Sequence, residues 1–170
     1  DPANGIVLGE EENKLGINAS STRQVFFNDT RVPVEDMLSE RQNGFKIAMN
    51  TLNIGRIKLA AACIDSQRRI TTDAIVYANA RKQFKTPIAE FGAIKYKLAE
   101  MVTNTYVCES ASYRAAKNIE DRIAMRIESG NTHQEAELKA VEEYAIECSI
   151  LKVAVSEDVQ NCADEGIQIF

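Results

Sequence analysis

Hydrophobic and polar residues follow two different patterns along this chain. From about Gly44 onward, apolar residues recur every three or four positions, the spacing of one face of an α-helix. Before that point, β-favouring residues gather at Val25-Phe26-Phe27 and at Val32 and Val34, with the turn-forming Asn28-Asp29-Thr30 between them. The pattern therefore predicts a short segment of strands and turns followed by a long helical region.

Three long helices are predicted in the helical region. The first begins at Asn43-Gly44 and ends before the Thr86-Pro87 step, at which the second begins. The second is expected to stop at Gly130, and the third opens with a capping box formed by Thr132 and Glu135. Helices of about 30 residues would each be about 45 Å long. Because short connections make neighbouring helices antiparallel, an up-and-down bundle is expected.

Each predicted helix carries an apolar face at helical spacing. The first face comprises Ala60, Cys63, Gln67, Ile70, Ala74 and Tyr77, the second Phe91, Ile94, Leu98, Met101 and Thr105, and the third Val141, Ala145, Cys148, Leu151, Val155, Val159 and Cys162.

Composition narrows the classes of function. Apolar residues make up 45% of the chain, enough for a core, while the net charge of −5 argues against nucleic acid as a main partner. No apolar run approaches the roughly 20 residues of a membrane span. The chain starts at Asp1 without Met and stops after the apolar Ile167-x-Ile169-Phe170, so we expect sequence to be missing at both ends.

Cysteine and histidine give little sign of metal or nucleophilic chemistry. The four cysteines contain no C-x-x-C pair, so free structural thiols in a reducing compartment are expected. The single His133 leaves little room for a zinc site or a Ser-His-Asp triad, and no metal site is predicted.

Three polar motifs are candidate binding sites. Arg81-Lys82-Gln83-Phe84 offers a guanidinium and an amide at a helix end, although a basic helix C-terminus also favours the helix dipole. Asn53-Ile54-Gly55-Arg56 could admit a flat ligand beside a cation, or could mark a kink with a solvated arginine. Ala19-Ser20-Ser21-Thr22-Arg23 could hold a phosphate or a pantetheine chain, or be an ordinary hydroxyl-rich turn.

In their order along the chain, the motifs resemble an acyl-CoA dehydrogenase. The resemblance covers nearly the whole chain, and Phe91-Gly92 and Cys108-Glu109-Ser110-Ala111-x-Tyr113 are more similar to the very-long-chain branch than to the medium-chain branch. The collinear motifs are Lys14-Leu15-Gly16-Ile17-x-Ala19-Ser20-Ser21-Thr22, Val25-Phe26-Phe27-x-Asp29-x-x-Val32-Pro33, Asn43-Gly44-Phe45-Lys46-Ile47-Ala48-Met49, Gly55-Arg56, Arg81-Lys82-Gln83-Phe84, Leu98-Ala99-Glu100-Met101 and Gly166-Ile167-Gln168-Ile169.

The resemblance implies a mainly α fold. Residues 1–36 would end a middle β domain, and residues 37–170 would supply three long helices of an incomplete, four-helix C-terminal domain. It also implies an FAD-dependent enzyme that oxidises fatty acyl-CoA to trans-2-enoyl-CoA in fatty acid β-oxidation. A glutamate takes the α proton in this family, FAD takes the β hydride, and an electron-transfer flavoprotein reoxidises the flavin. The implied assembly is a homo-oligomer, either a dimer or a tetramer.

The same resemblance assigns roles to individual residues. It implies that Arg81, with Gln83 and Phe84 beside it, contacts the FAD pyrophosphate of a neighbouring subunit, and that Gln168 meets the same cofactor. It further implies three acyl-CoA-binding residues: Ser20, near the CoA moiety, and Asn53 and Arg56, which line the acyl site.

Three positions depart from the family pattern. Lys85 replaces the usual Gly after the Arg-x-Gln-Phe run, and Gly92 replaces a common FAD-contacting Gln, which puts that contact in doubt. Gly55 stands where isovaleryl-type members carry their catalytic Glu, so the base is expected beyond Phe170. The sequence therefore offers no catalytic residue.

A fragment that lacks its base is expected to be inactive alone. The alternative is a non-catalytic helical module that serves oligomerisation. A cytoplasmic location is expected if the source is bacterial, and the mitochondrial matrix if it is eukaryotic.

Overall fold

The chain forms two compact units. A computed structural model describes residues 4–170, and the division between the units falls after Gly44, with the second unit spanning Phe45–Phe170. The domain boundary predicted from the sequence, after residue 36, lies earlier in the chain than this division.

A two-stranded antiparallel sheet forms the N-terminal unit. Strand β1, Ile6–Glu11, pairs with β2, Arg23–Phe27, so that Ile6 lies opposite Phe27. The strand predicted at Val25-Phe26-Phe27 is therefore confirmed.

The second β-favouring cluster does not form a strand. Val34–Asp36 is a short 3-10 turn, and Val32 lies outside any strand. Pro33 caps this turn with φ −56°. Since proline has no backbone N–H, it interrupts ladder pairing between the two valines, and the expectation of strand structure there is wrong.

Two helices of equal length dominate the second unit. Helix α1 is Gly44–Ala80 and helix α2 is Gly92–Glu128, each of 37 residues. At 1.5 Å per residue each is about 55 Å long. The predicted start at Asn43-Gly44 is confirmed, and so is the stop at Gly130, whose φ of 91° lies in the region that favours glycine.

The connection between α1 and α2 differs from the prediction. Strands β3, Lys82–Gln83, and β4, Thr86–Pro87, form a small hairpin, and a 3-10 turn at Ile88–Glu90 follows before α2 begins. The prediction that Thr86-Pro87 starts the second helix is therefore wrong. Thr86 pairs with Gln83, and this extended pairing excludes a helical start at the same step.

The third predicted helix is in fact two helices. Helix α3, His133–Glu143, opens with the predicted capping box of Thr132 and Glu135, and α4 is Ala145–Ile169. They are separated at Tyr144, whose ψ of 22° departs from helical geometry. The apolar spacing continues unbroken through this position without Gly or Pro, so the sequence pattern carried no sign of the break.

Two arginines of α2 hold the end of α3 in place. Arg122 Nε donates to both carboxylate oxygens of Glu143 at 2.8 Å, and Arg126 Nη2 donates to one of them at 2.9 Å. Hydrogen bonds from Arg122 and then Arg126 lower the pKa of the Glu143 carboxyl. The break between α3 and α4 thus directly follows a residue that is fastened to α2.

The core lies where α1, α2 and α4 meet, and it has two apolar clusters. The predicted bundle is confirmed, and the predicted helix faces supply part of both clusters. The buried residues Ile64, Ala78, Cys108, Ala115 and Ile169 lie outside the predicted faces. The central cluster contains Ala60, Ile64, Cys108, Ala115, Leu151 and Val155, and the end cluster contains Ala74, Ala78, Met101, Cys162 and Ile169. All four cysteines are free thiols, as predicted.

A polar contact is buried between the clusters. Gln67 is fully buried, and its Nε2 donates to Asp158 Oδ2 at 2.9 Å and to the Val155 carbonyl at 3.4 Å. The Cys108 thiol lies 3.7 Å from the same carboxylate oxygen. Burial raises the pKa of the Asp158 carboxyl, and no Lys or Arg within residues 4–170 forms an ion pair with it.

Replacement of Asp158 by Asn is expected to stabilise the chain at pH 7. The folded state raises the pKa of this carboxyl, so its stabilising contribution is present below the unfolded pKa, about 4, and is lost as the pH rises through the folded value. Asn keeps an acceptor for Gln67 without a half-buried charge. Thermal unfolding should show a higher Tm for D158N at pH 7 and a gain that vanishes near pH 4. Asp73→Asn, at an exposed site on α1, is the control, and a lower Tm for D158N at pH 7 would contradict this account.

Candidate functional site

Arg81 lies directly after the last residue of α1, as the sequence predicts. Its backbone N–H donates to the Tyr77 carbonyl and its own carbonyl accepts from Ile88 N–H, both at 2.8 Å. Both backbone groups are therefore fixed, whereas the residue is exposed and its guanidinium has no hydrogen-bond partner among residues 4–170. The side chain of Arg81 thus starts from a fixed backbone position, and its guanidinium is available to a ligand.

The hairpin after Arg81 turns through two residues in the left-handed region. Phe84 has φ 52° and Lys85 has φ 66°. Two-residue hairpin turns of this type usually carry Asn-Gly or similar pairs, because a side chain with a Cβ costs about 1–2 kcal/mol per residue in this conformation. Phe84 is also 84% exposed. The turn thus presents Gln83 and Phe84 on a strained, outward-facing loop.

Three cationic side chains lie within the five residues 81–85. Arg81, Lys82 and Lys85 form no ion pair with any carboxylate in the described part of the chain. On a chain with net charge −5, this is a local excess of positive charge. A guanidinium fork with nearby ammonium groups is suited to an anion such as a phosphate.

The end of α4 lies beside the end of α1. The rings of Tyr77 and Phe170 stack with centroids 4.1 Å apart, and the Tyr77 hydroxyl donates to the Phe170 carbonyl at 3.1 Å. Gln168, two residues before Phe170, accepts a 2.9 Å hydrogen bond at Oε1 from Lys97 Nζ near the start of α2. The structure therefore brings Arg81 and Gln168 to the same end of the bundle.

Asn53 and Arg56 form a second polar pair elsewhere on α1. Arg56 Nη1 donates to Asn53 Oδ1 at 2.8 Å; Asn53 is buried and Arg56 is half-buried. A Cβ added to Gly55 would meet nothing within 4 Å, and α1 continues through this glycine without interruption. At 1.5 Å per residue, Asn53 lies about 40 Å along the helix from its end at Ala80. The two candidate sites are thus separate.

Ser20 belongs to the N-terminal unit and is exposed. Its backbone N–H donates to the Ile17 carbonyl at 3.1 Å, and its own carbonyl accepts from Lys14 Nζ. These contacts fit a turn, and a role for Ser20 toward CoA stays a prediction.

Comparison with known proteins assigns the family. Residues 42–170 match the family described as "Acyl-CoA dehydrogenase, C-terminal domain". The chain belongs to the acyl-CoA dehydrogenase family. It is 41% identical over 165 residues to a probable acyl-CoA dehydrogenase of Bacillus subtilis, and the match covers 97% of this chain and 28% of that protein.

Two further relatives of the same family are similar over most of the chain. The mitochondrial very long-chain specific acyl-CoA dehydrogenase of Macaca fascicularis is 40% identical over 98% of this chain and 23% of its own length. The crystal structure of a Bacillus anthracis acyl-CoA dehydrogenase complexed with FAD is similar to this chain with a TM-score of 0.80 and 42% identity. The match covers 97% of this chain and 28% of the crystallised chain. The chain thus spans about a quarter of the length of these relatives.

Sequence reasoning missed Lys97 in this acyl-CoA dehydrogenase chain. Its partner Gln168 is 71 residues away, so no local spacing could have connected them. Lys97 also binds the carboxylate of Glu165 and is only 25% exposed, whereas most lysines on a bundle surface extend into solvent.

A metal site and a membrane-spanning helix find no support in the described part of the chain. Residues 4–170 contain no group of three or more His, Cys, Asp or Glu side chains placed to hold a metal ion. His133 is exposed in the first turn of α3, with Nδ1 3.5 Å from a carboxylate oxygen of Glu137. No helix described here is long and apolar enough to cross a membrane.

Replacement of Lys85 by Gly is expected to stabilise the fold by roughly 1 kcal/mol, because glycine adopts the left-handed conformation without a Cβ penalty. Lys85→Ala is the matched control: it removes the same charge but keeps the penalty, so its stability should stay near that of the wild type. Denaturant unfolding measures both. Equal stabilisation by the two variants would mean that charge, and not backbone strain, dominates at this position.

Proposed function

We propose that this chain is the C-terminal helical part of an FAD-dependent acyl-CoA dehydrogenase that oxidises fatty acyl-CoA to trans-2-enoyl-CoA in fatty acid β-oxidation. Family membership supports the reaction class, and the similarity to a very long-chain specific enzyme supports a fatty acyl substrate. The observation that carries the proposal is that α1 and α4 end beside one another, through the Tyr77–Phe170 contact, so that Arg81 and Gln168 lie at the same end of the bundle, both with unused donors.

The residues at this end fit a flavin nucleotide. A pyrophosphate carries two negative charges and several acceptor oxygens, and Arg81 offers a guanidinium with no competing carboxylate in residues 4–170. Gln168 presents amide donors, and Gln83 and the exposed Phe84 add a polar group and an apolar ring beside the cation. Bound FAD would supply the acceptor for the β hydride of the substrate.

The proposed substrate-binding residues and Arg81 would contribute to different active sites within an oligomer. Asn53 and Arg56, with the open surface at Gly55, would line the acyl-CoA site, with Ser20 near the CoA moiety. Because the Asn53 pair and Arg81 are about 40 Å apart along α1, one chain would serve two active sites. The Arg81 end would then contact the FAD of a neighbouring subunit in a dimer or tetramer.

The remaining chemistry is proposed to lie outside these 170 residues. No residue of this chain is assigned as the catalytic base, and the base is proposed to lie in sequence beyond Phe170. Electron-transfer flavoprotein is the proposed oxidant of the reduced enzyme. The relatives named above include a bacterial and a mitochondrial protein, which supports the cytoplasm or the mitochondrial matrix as the location.

Replacement of Arg81 by Met is expected to raise the FAD dissociation constant about 10- to 100-fold, since hydrogen bonds to a charged group are lost. The experiment uses the full-length protein, that is, the protein as its gene encodes it. Flavin fluorescence titration of the apoprotein measures this constant. Arg69→Met, at an exposed site on the same helix, is the matched control and should leave it unchanged. Equal effects of the two substitutions would contradict a specific role for Arg81.

The 170-residue chain alone is expected to show no acyl-CoA-dependent dye reduction, even with added FAD. The physical reason is that the base is proposed to lie outside this chain, and without a base the α proton has no acceptor. The assay should be run with palmitoyl-CoA at saturating concentration, with the protein as its gene encodes it as the positive control. Robust turnover by the isolated chain would show that a base lies within residues 1–170.

A further inference from the structure

The Lys97 side chain makes a paired contact in the groove between α2 and α4. Its ammonium binds the Glu165 carboxylate and also donates to Gln168 Oε1 at 2.9 Å. Both partners lie on α4, three residues apart, and therefore on the same face of that helix. Lys97 and Glu165 are partly buried, with 25% and 34% of their side chains exposed.

This contact determines which way the Gln168 amide points. An ammonium group has three donors and no acceptor, so the atom of Gln168 that faces Lys97 must be the oxygen. The amide nitrogen then points away from Lys97, and it has no hydrogen-bond partner among residues 4–170. The Gln168 amide is therefore held with its N–H groups free to donate to a ligand.

The charge of Lys97 contributes little to the attraction of an anion. Glu165 is in direct contact with the ammonium and neutralises it, whereas Arg81, Lys82 and Lys85 have no such partner in the described residues. The contact with Gln168, and not long-range charge, is therefore the route by which Lys97 can affect a ligand.

We propose that Lys97 is a positioning residue: it holds the Gln168 amide with its N–H groups outward, so that this amide donates to an acceptor group of a bound flavin nucleotide. The inference rests on the proposed function, because it takes FAD as the ligand at the Arg81 end. It adds a constraint on the ligand, whose surface opposite Gln168 must carry acceptors, such as phosphate or carbonyl oxygens or unprotonated ring nitrogens.

A double-mutant cycle between Lys97 and Gln168 tests the proposal. Flavin fluorescence titration gives the FAD dissociation constant of the protein as its gene encodes it, and of its Lys97→Met, Gln168→Leu and doubly substituted variants. Lys97→Met should raise the constant about five- to tenfold, the factor for one oriented hydrogen bond. In the Gln168→Leu background it should have no further effect, because the amide that it orients is absent. Lys97→Arg keeps a donor and should retain most of the affinity.

The outcomes separate the failure of this inference from that of the proposed function. Equal factors for Lys97→Met in both backgrounds would show that Lys97 acts through its charge or through the fold, which overturns the proposal. No effect of Lys97→Met, with clear losses in Arg81→Met and Gln168→Leu, overturns the proposal alone. No loss in Arg81→Met or Gln168→Leu overturns the proposed flavin site and this inference with it. Should Lys97→Met lower the Tm of the apoprotein, the same cycle is run with Glu165→Gln present in all four proteins, so that the loss of Lys97 leaves no unpaired carboxylate.

Discussion

The close packing of α1, α2 and α4 at one end of the bundle is the constraint on which the candidate site depends. Ala74 and Ala78 are fully buried on α1, and such small side chains let Met101, Cys162 and Ile169 approach closely. A slide of α4 by one turn would move Gln168 about 5.4 Å relative to Arg81. The register set by apolar contacts therefore determines whether the two polar side chains can serve one ligand.

The hairpin at this end of the bundle, residues 82–87, has features that lower its local stability. Phe84 and Lys85 occupy a turn in which glycine is favoured, and the cations of the hairpin lack carboxylate partners in residues 4–170. Unfavourable conformation and uncompensated charge in one exposed segment are typical of binding sites, where a ligand supplies the missing interactions. Lys97, by contrast, is paired with Glu165, in keeping with a role in orientation.

The sequence predicted the helices well because apolar spacing, caps and Gly130 act locally. It failed at Tyr144, where the apolar spacing continues across a break that no Gly or Pro marks, and at Thr86-Pro87, where hairpin pairing replaces a helix start. The position of Arg81 at a helix end was predictable for the same local reason. Its proximity to Gln168, and the role of Lys97, depend on contacts between distant segments, which spacing along one helix cannot indicate.

The central claim is that the Arg81 and Gln168 end of the bundle contacts a flavin nucleotide held by a neighbouring subunit. The most direct measurement is a crystal structure of the FAD-bound protein as its gene encodes it. The account predicts the Arg81 guanidinium within hydrogen-bond distance of the pyrophosphate, and Gln168 Nε2, with Lys97 on its Oε1, donating to the same cofactor. An FAD molecule bound elsewhere, with Arg81 and Gln168 in contact only with solvent, would contradict it.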